Sequence, residues 1–315
     1  MPITTLHLEG ISSQTVHANG QVSECTLNQP NVIHTCCGDL VPRFSRPDAR
    51  SKELKSLSFY ESGALRSISL DQQVDVRTPI GLFPAELVTF YEDGRLDSVF
   101  PLNGQLGFGW SEEEEAQLAE TYSFGFSFGT VTAKIIGVRF YDTGEVKSLI
   151  LWPEEVIALE TPIGTVSART GLRVFKSGRL ESFEPARPID VRTPIGLIRA
   201  YDVTALTIDA DENSVRFDEE GNLTHVATSG DVIVNGPDVG RLRITSRTRM
   251  ALSSDTLVKL AINISFDGDS TTINTGAESH TFAISQCRFL ALPDIDPDGL
   301  TACDTGCDTC GVACA

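Results

Sequence analysis

Four cysteines lie within the last thirteen residues of this 315-residue chain and form its densest group of side chains that could do chemistry. They are Cys303, Cys307, Cys310 and Cys314, so their spacing is C-x3-C-x2-C-x3-C. Thiolates are soft ligands, and four of them on a short glycine-containing segment can surround Zn²⁺ or hold an iron–sulfur cluster. The spacing therefore predicts a metal site at these cysteines. Two alternatives stay open: a reactive tail that is oxidised, modified or attached to a partner, and a tail with no chemical role.

Two adjacent cysteines, Cys36 and Cys37, form a second candidate site. Elsewhere in the chain, proline and isoleucine hold the same two positions of a repeated phrase. The preferred interpretation is that both cysteines are small, core-compatible residues that fill these positions. The alternative groups them with Cys25 and His34 as a soft-metal or redox site.

Other polar motifs favour structural roles. Segment 294–299 reads Asp-Ile-Asp-Pro-Asp-Gly, like the first half of a calcium loop, but it lacks the glutamate at the twelfth position and indicates a polar turn. Serines recur four residues after repeated glycines without a recurring histidine to act as base, so we interpret them as strand residues rather than nucleophiles. They are Ser67, Ser98, Ser148 and Ser182, and His225 takes the same position in a further copy.

These candidates are embedded in a phrase that occurs six times. Its clearest copies begin with Phe-Tyr, and the six copies centre on Gly20, Gly63, Gly94, Gly144, Gly178 and Gly221. The residue four before each glycine and the residue two after it are always apolar. Turn-forming residues mostly precede the glycine, which supplies the positive φ that a tight hairpin requires. Each copy therefore predicts a β-hairpin whose apolar pair lies on one face.

A second phrase, Thr-Pro-Ile-Gly, occurs at 78–81, 161–164 and 193–196. Thr78 and Thr193 each lie fifteen residues after a repeat glycine, and the same offset from Gly20 leads to Thr35-Cys36-Cys37-Gly38. Because proline cannot donate to a β ladder, the phrase predicts a corner between two strands.

Stacked units of this kind predict an all-β fold, an antiparallel β-solenoid of stacked hairpin repeats. The alternative is a propeller or a sandwich, but propeller blades would hold their length better than these units of about 31 to 50 residues. We expect the six-unit stack to span residues 1–239, with one short helical insertion at about 111–121, where a serine precedes a run of glutamates. Residues 240–298 are expected to form a β cap, and residues 299–315 the Cys-rich tail.

The phrase aromatic-Tyr-x-x-Gly-x-aliphatic resembles the MORN-type hairpin repeats over roughly residues 14–230. These copies lack the tryptophan and the later glycines of the MORN pattern and add the Thr-Pro-Ile-Gly corner. The resemblance implies a stack of hairpins that serves as a scaffold or binding surface rather than as a catalyst. It implies no particular ligand.

Charge and composition narrow the possible partners. With 25 basic and 43 acidic residues, the formal net charge is −18, which repels nucleic acid and anionic lipid surfaces. The first residues lack the basic flank and apolar run of a secretory signal, and no stretch approaches the roughly 20 apolar residues of a membrane-spanning helix. We therefore expect a cytoplasmic protein with no nucleic-acid partner and no membrane partner.

The function predicted from these observations is a non-enzymatic β-solenoid scaffold or protein-interaction module that binds a protein partner. Its Cys tail is expected to bind Zn²⁺ or an iron–sulfur cluster. The alternative is a redox or metallo-accessory protein whose tail passes electrons or metal to a partner enzyme. A hydrolase would need carboxylates clustered in a cleft. The sequence leaves the oligomeric state open.

Overall fold

The computed structural model describes residues 7–44, 55–103, 112–205, 213–250 and 257–292. The first half of the described chain contains one helix, α1 (Glu112–Leu118), and the strands β1 (Ile11–Val16), β2 (Val22–Leu27), β3 (Ile33–Thr35), β4 (Gly38–Leu40), β5 (Leu57–Phe59), β6 (Leu65–Thr78), β7 (Gly81–Phe90), β8 (Leu96–Phe100), β9 (Thr121–Phe126), β10 (Gly129–Phe140), β11 (Val146–Leu151), β12 (Ile157–Thr161) and β13 (Gly164–Val174).

The second half contains a 3-10 turn at Ile284–Gln286 and the strands β14 (Leu180–Pro185), β15 (Ile189–Thr193), β16 (Gly196–Ala200), β17 (Val215–Phe217), β18 (Leu223–Thr228), β19 (Asp231–Gly236), β20 (Gly240–Ile244), β21 (Thr248–Met250), β22 (Leu257–Lys259), β23 (Ile262–Asp267), β24 (Ser270–Asn274), β25 (Ser279–Ala283) and β26 (Arg288–Leu292). The predicted all-β class is confirmed.

Most strands belong to one large open antiparallel sheet. Fifteen of them follow one another in the order β1-β2-β5-β6-β7-β8-β10-β11-β13-β14-β17-β18-β23-β24-β25. Strands β9 and β12 pair with the first halves of β10 and β13 and bring the sheet to seventeen strands. A propeller would divide its strands among separate blades, so the continuous sheet agrees with stacked hairpins.

The six repeat glycines form the hairpin turns that the sequence predicts. Their φ angles lie between 76° and 103°, in the left-handed region that favours glycine. In each turn, the residue three before the glycine donates its N–H to the carbonyl of the residue that follows the glycine. We name these turns glycine turns 1 to 6 in chain order. Their hairpins are consecutive in the antiparallel sheet, so all six turns lie at the same end of the strands. They form one edge of the sheet that runs across the strand direction.

Five further glycines form a second set of turns, which we name corners 1 to 5. They are Gly38, Gly81, Gly129, Gly164 and Gly196, with φ between 108° and 129°. In four corners, a threonine Oγ1 donates to the glycine carbonyl and accepts a backbone N–H two residues further on; these are Thr35, Thr78, Thr161 and Thr193. Cys36 and Cys37 thus occupy the proline and isoleucine positions of corner 1, as the offset predicts.

The core lies between the sheet and the hairpins that the corners close. These corner hairpins alternate buried and exposed residues, so each packs one face inward. Inward residues such as Val76 and Val191 belong to the same hydrophobic cluster as the repeat residues of the sheet. Of the residues four before the glycines, Phe59, Phe90, Phe140, Val174 and Phe217 are buried, whereas Val16 on the edge strand β1 is 57% exposed.

Hydrogen bonds from side chains join successive units. In glycine turns 1 to 4, the side chain of the residue three before the glycine hydrogen-bonds to a backbone carbonyl of the next unit. The four bonds are His17 Nε2 to the Phe59 carbonyl at 2.9 Å, Tyr60 Oη to the Phe90 carbonyl at 2.8 Å, Tyr91 Oη to the Phe140 carbonyl at 2.6 Å and Tyr141 Oη to the Val174 carbonyl at 3.0 Å. The edge of the sheet that carries the turns is therefore tied together along its length.

The predicted subdivisions can be placed on these elements. Helix α1 lies within the predicted insertion at 111–121. Strands β23 to β25 continue the sheet beyond β18, and β19 pairs with β20 and β26. The tail at 299–315 lies outside the described residues, and the limits proposed for the stack and the cap stay predictions. In the described ranges, no helix is long and apolar enough to cross a membrane.

Candidate functional site

The predicted metal ligands Cys303, Cys307, Cys310 and Cys314 lie outside the described residues, as does segment 294–299. In the part of the chain that the structure describes, no three His, Cys, Asp or Glu side chains form a group that could hold a metal ion. Cys25, His34, Cys36 and Cys37 therefore do not come together as a metal-binding group. His34 instead pairs with Asp39, with 2.7 Å between Nδ1 and Oδ1.

The recurring serines lie in a polar row on the side of the sheet that faces away from the core. Register pairs place Arg139 opposite Ser98 and Ser148, Arg173 opposite Ser148 and Ser182, and Arg216 opposite Ser182 and His225. Ser98, Ser148 and Ser182 are buried although they belong to this row. All four recurring serines lie in strands, as the sequence predicts.

Corners 1, 2, 3 and 4 lie against glycine turns 3, 4, 5 and 6, respectively. A Cβ on Gly144 would come within 3.3 Å of Cγ of Pro79, and a Cβ on Gly221 within 3.3 Å of Cγ of Pro162. Ser127 Oγ, beside corner 3, donates to the Gly178 carbonyl at 2.8 Å. By the same rule, Cys36 in corner 1 lies against glycine turn 3.

Two equivalent grooves form where successive corners meet successive turns. The first has a volume of about 320 Å³ and lies between corners 1 and 2 and glycine turns 3 and 4. The second, of about 420 Å³, lies between corners 3 and 4 and turns 5 and 6. Each contains the same arginine contact: Arg95 Nη1 donates to the Asp142 carbonyl at 2.7 Å, and Arg179 Nη1 to the Glu219 carbonyl at 2.6 Å.

The two grooves differ in the side chains that the corners supply. Cys36, Cys37 and Arg77 line the first groove, whereas Ser127, Phe128 and Glu160 take the corresponding places in the second. Both grooves therefore have the same backbone framework, but only the first has two thiols and the additional cation Arg77. We name the first the thiol groove.

The geometry of the thiol pair makes Cys36 the more acidic member. The two Sγ atoms are 3.6 Å apart, Cys36 is exposed, and Cys37 is only 3% exposed. The hydrogen bond from Cys37, aided by the Leu96 backbone N–H, outweighs burial and the negative charge of Asp93 and lowers the pKa of Cys36 to about 7. The same pairing, with burial, raises the pKa of Cys37. At neutral pH, Cys36 is the member of the pair that supplies a thiolate.

The edge that carries the glycine turns is rich in carboxylates. We define the glycine-turn row as the residues from three before to one after each repeat glycine. It contains eight acids and three cations: Glu61, Glu92, Asp93, Asp142, Glu145, Asp218, Glu219 and Glu220 against Arg95, Lys176 and Arg179. Asp142 pairs with Lys176 at 3.0 Å and with Arg95 at 3.5 Å, so two of the cations are already engaged within the row.

One buried carboxylate has a different role. Glu184 on β14 is fully buried, and its two oxygens accept the backbone N–H groups of Asp202 at 3.2 Å and Ser214 at 2.8 Å. Arg169 lies 3.9 Å away and is half-buried. Burial outweighs these contacts and raises the pKa of Glu184 to about 7. The side chain fastens two distant backbone segments to the sheet rather than facing a groove.

Sequence reasoning placed Cys36 and Cys37 in their corner but missed the arginines of the thiol groove and the role of Glu184. Arg77 could have been found, because it directly precedes the threonine of its phrase and therefore follows the same geometry. Glu184 belongs to no repeated phrase and carried no such signal.

Comparison with family models, curated proteins and solved structures gave no match, so the resemblance to MORN-type repeats stays a prediction.

Proposed function

We propose that this protein is a non-enzymatic β scaffold that binds a protein partner along the glycine-turn row. The observation that carries the proposal is the placement of eight carboxylates on glycine turns 2, 3, 4 and 6, against three cations on turns 3 and 5, along one sheet edge. Hydrogen bonds between turns hold this edge in shape: Asn19 Nδ2 donates to the Glu61 carbonyl at 2.8 Å, and Arg95 and Arg179 make the equivalent contacts further along.

Spacing and charge define the kind of partner that fits. Neighbouring turns are separated by two strands, or about 10 Å at roughly 4.8 Å per strand step. An extended peptide in the polyproline II conformation advances about 3.1 Å per residue and has about three residues per turn. A lysine or arginine at every third residue would therefore lie on one face and meet glycine turns 2, 3 and 4, each of which carries a carboxylate. A negative surface also repels nucleic acid and anionic lipid. The expected partner is therefore a protein that presents a basic extended segment.

This spacing can be tested with synthetic peptides of defined charge pattern. We expect a peptide with lysine at every third residue to bind more tightly than a peptide of identical composition whose lysines are clustered. Neutralising three carboxylates that make no side-chain hydrogen bond in the described ranges, by Glu61→Gln, Glu92→Gln and Glu220→Gln, should weaken that binding on the order of tenfold. Fluorescence anisotropy at low ionic strength measures both effects, since salt screens exposed charges.

A matched control separates the row from net charge. The triple variant Asp190→Asn, Asp267→Asn and Glu278→Gln removes three exposed carboxylates outside the row, so it changes the formal net charge of −18 by the same amount as the first triple variant. It should bind the periodic peptide nearly as well as the unmodified protein. Equal losses in the two triple variants, or no preference for the periodic peptide, would refute the proposed binding edge.

We propose in addition that Cys303, Cys307, Cys310 and Cys314 bind Zn²⁺ or an iron–sulfur cluster, because their number and spacing suit either ligand. After anaerobic purification, the full chain should contain about one zinc ion or show the absorbance of a cluster. A chain that ends at Thr301 should contain neither. A metal-free full chain would contradict this proposal and would also remove the basis of the alternative function in electron or metal transfer.

A further inference from the structure

The thiol groove combines features that the proposed scaffold function does not use. Cys36 stands where other corners carry proline, directly against glycine turn 3, and its sulfur faces an open groove of about 320 Å³. The buried Cys37 thiol lies 3.6 Å from that sulfur and can donate a hydrogen bond to it. A thiolate that is held by a donor and accessible to solvent is the nucleophile in thiol–disulfide exchange.

Charged groups of both signs surround Cys36, and one of the cations, Arg77, is placed to meet an anionic reactant. Cys37 lies on the same corner, Arg77 belongs to corner 2, and Asp93 and Arg95 belong to glycine turn 3. Tyr141 and Asp142 complete the groove from turn 4. Arg95 is engaged by Asp93 and Asp142, whereas Arg77 is exposed and makes no ion pair within the described ranges. The guanidinium of Arg77 is therefore the cation that a carboxylate of a small ligand would meet.

A disulfide between the two cysteines themselves is disfavoured by geometry. Adjacent Cα atoms across a trans peptide are about 3.8 Å apart, whereas Cα atoms in disulfides are usually about 4.4 to 6.8 Å apart. No cis peptide bond is present among the described residues. The backbone of corner 1 is also fixed by the Thr35 hydrogen bonds that recur in three other corners. Cys37 is thus placed to activate Cys36 rather than to displace a group from it.

We propose that Cys36 is a site of reversible modification by low-molecular-weight disulfides that carry carboxylates, with Cys37 as the activating donor and Arg77 as the anion-binding residue. In the forward step, the Cys36 thiolate attacks one sulfur of the small disulfide. A Cys36–S–S–R bond forms, the original S–S bond breaks, and one RS⁻ leaves with the electron pair and takes a proton from water. A second small thiolate reverses the step by attacking the mixed disulfide.

The test uses the full-length reduced protein with oxidised glutathione as the anionic probe. Differential alkylation and peptide mass spectrometry follow each cysteine separately, so that the tail cysteines do not obscure Cys36. We expect one glutathionyl group on Cys36. At pH 7 it should form about three- to fivefold faster than on an ordinary exposed thiol. The lower pKa of Cys36 increases the fraction present as thiolate, but it also reduces the nucleophilicity of that thiolate. The rate should rise with a midpoint near pH 7, the pKa of Cys36.

Variants assign the roles of the three residues. Cys36→Pro restores the phrase found in other corners, should fold normally and should abolish the adduct on this corner. Cys37→Ala should leave the adduct on Cys36 but slow its formation and move the pH midpoint upward. Arg77→Gln should reduce the preference for oxidised glutathione over the uncharged 2-hydroxyethyl disulfide by about two- to fivefold, the size expected of one exposed ion pair. Arg192→Gln, at the same position of corner 5, is the matched control and should leave that preference unchanged.

Three results would overturn the proposal. The first is a Cys36 that reacts no faster than the other accessible cysteines. The second is a peptide containing Cys36 and Cys37 that loses two hydrogens and carries no adduct, which would show an internal disulfide. The third is an unchanged pH midpoint in Cys37→Ala, which would remove the activating role of the second thiol.

Discussion

Replacing Phe140 with alanine is expected to lower the free energy of unfolding by about 3 to 5 kcal/mol, the range for truncating a buried aromatic side chain. Phe140 is 1% exposed at the end of β10, pairs with Val146 across glycine turn 4 and belongs to the continuous core. Its backbone carbonyl also accepts the Tyr91 hydroxyl of the preceding unit. Loss of the ring therefore leaves a cavity where two units meet.

Two valines in the same repeat position supply a matched control for this prediction. Val174 is 1% exposed, whereas Val16 is 57% exposed on the edge strand β1. Val174→Ala should cost about 2 kcal/mol, and Val16→Ala less than about 0.5 kcal/mol. Urea denaturation followed by circular dichroism measures all three variants. Equal losses for the two valines would mean that the repeat position does not contribute to a packed core.

The hairpins and corners were predictable because glycine and threonine act locally. A positive φ at each repeat glycine, and a threonine hydroxyl that bridges its own turn, depend only on residues a few positions apart. Even the substituted corner, Thr35-Cys36-Cys37-Gly38, could be placed by its offset from Gly20. The all-β class follows from repeating these two local signals.

The contacts between units could not be derived in this way. Pro79 meets Gly144 although glycine turn 3 and helix α1 lie between them in sequence, because each corner passes over the sheet to the second turn beyond its own. The offset between a corner and the turn that it contacts depends on how the corner hairpins pack across the strands. The spacing of the phrases in the sequence does not indicate it. The thiol groove, which depends on it, was therefore not predicted, although both its cysteines were.

Glu184 illustrates a second limit. Its partners are backbone N–H groups of Asp202 and Ser214, and any residue except proline offers such a group. Nothing in the side-chain pattern therefore marks these positions as partners of a buried carboxylate. Only the fold, which brings three separate segments together, determines that Glu184 is buried and that its pKa is raised.

That buried carboxylate should make the stability of the protein fall as pH rises through neutrality. Its pKa is about 7 in the folded protein, against about 4.3 for an unperturbed glutamate in the unfolded chain. Between these values, the folded state holds a proton that the unfolded state has released, so its stabilising contribution is fully present below pH 4.3 and is lost as pH rises through 7. The loss from pH 5 to pH 8 should be about 2 to 3 kcal/mol.

The variant Glu184→Gln isolates this contribution because its side chain does not titrate. Its amide places an N–H₂ group against one of the two backbone donors, and this contact lowers the free energy of unfolding by the same amount at every pH. The free energy of unfolding of the unmodified protein, minus that of the variant, should therefore decrease by about 2 to 3 kcal/mol between pH 5 and pH 8. Glu61→Gln on the exposed row, measured by the same urea titrations, should show a change of less than about 0.5 kcal/mol. A difference for Glu184→Gln that is constant with pH would show that burial does not perturb this carboxylate.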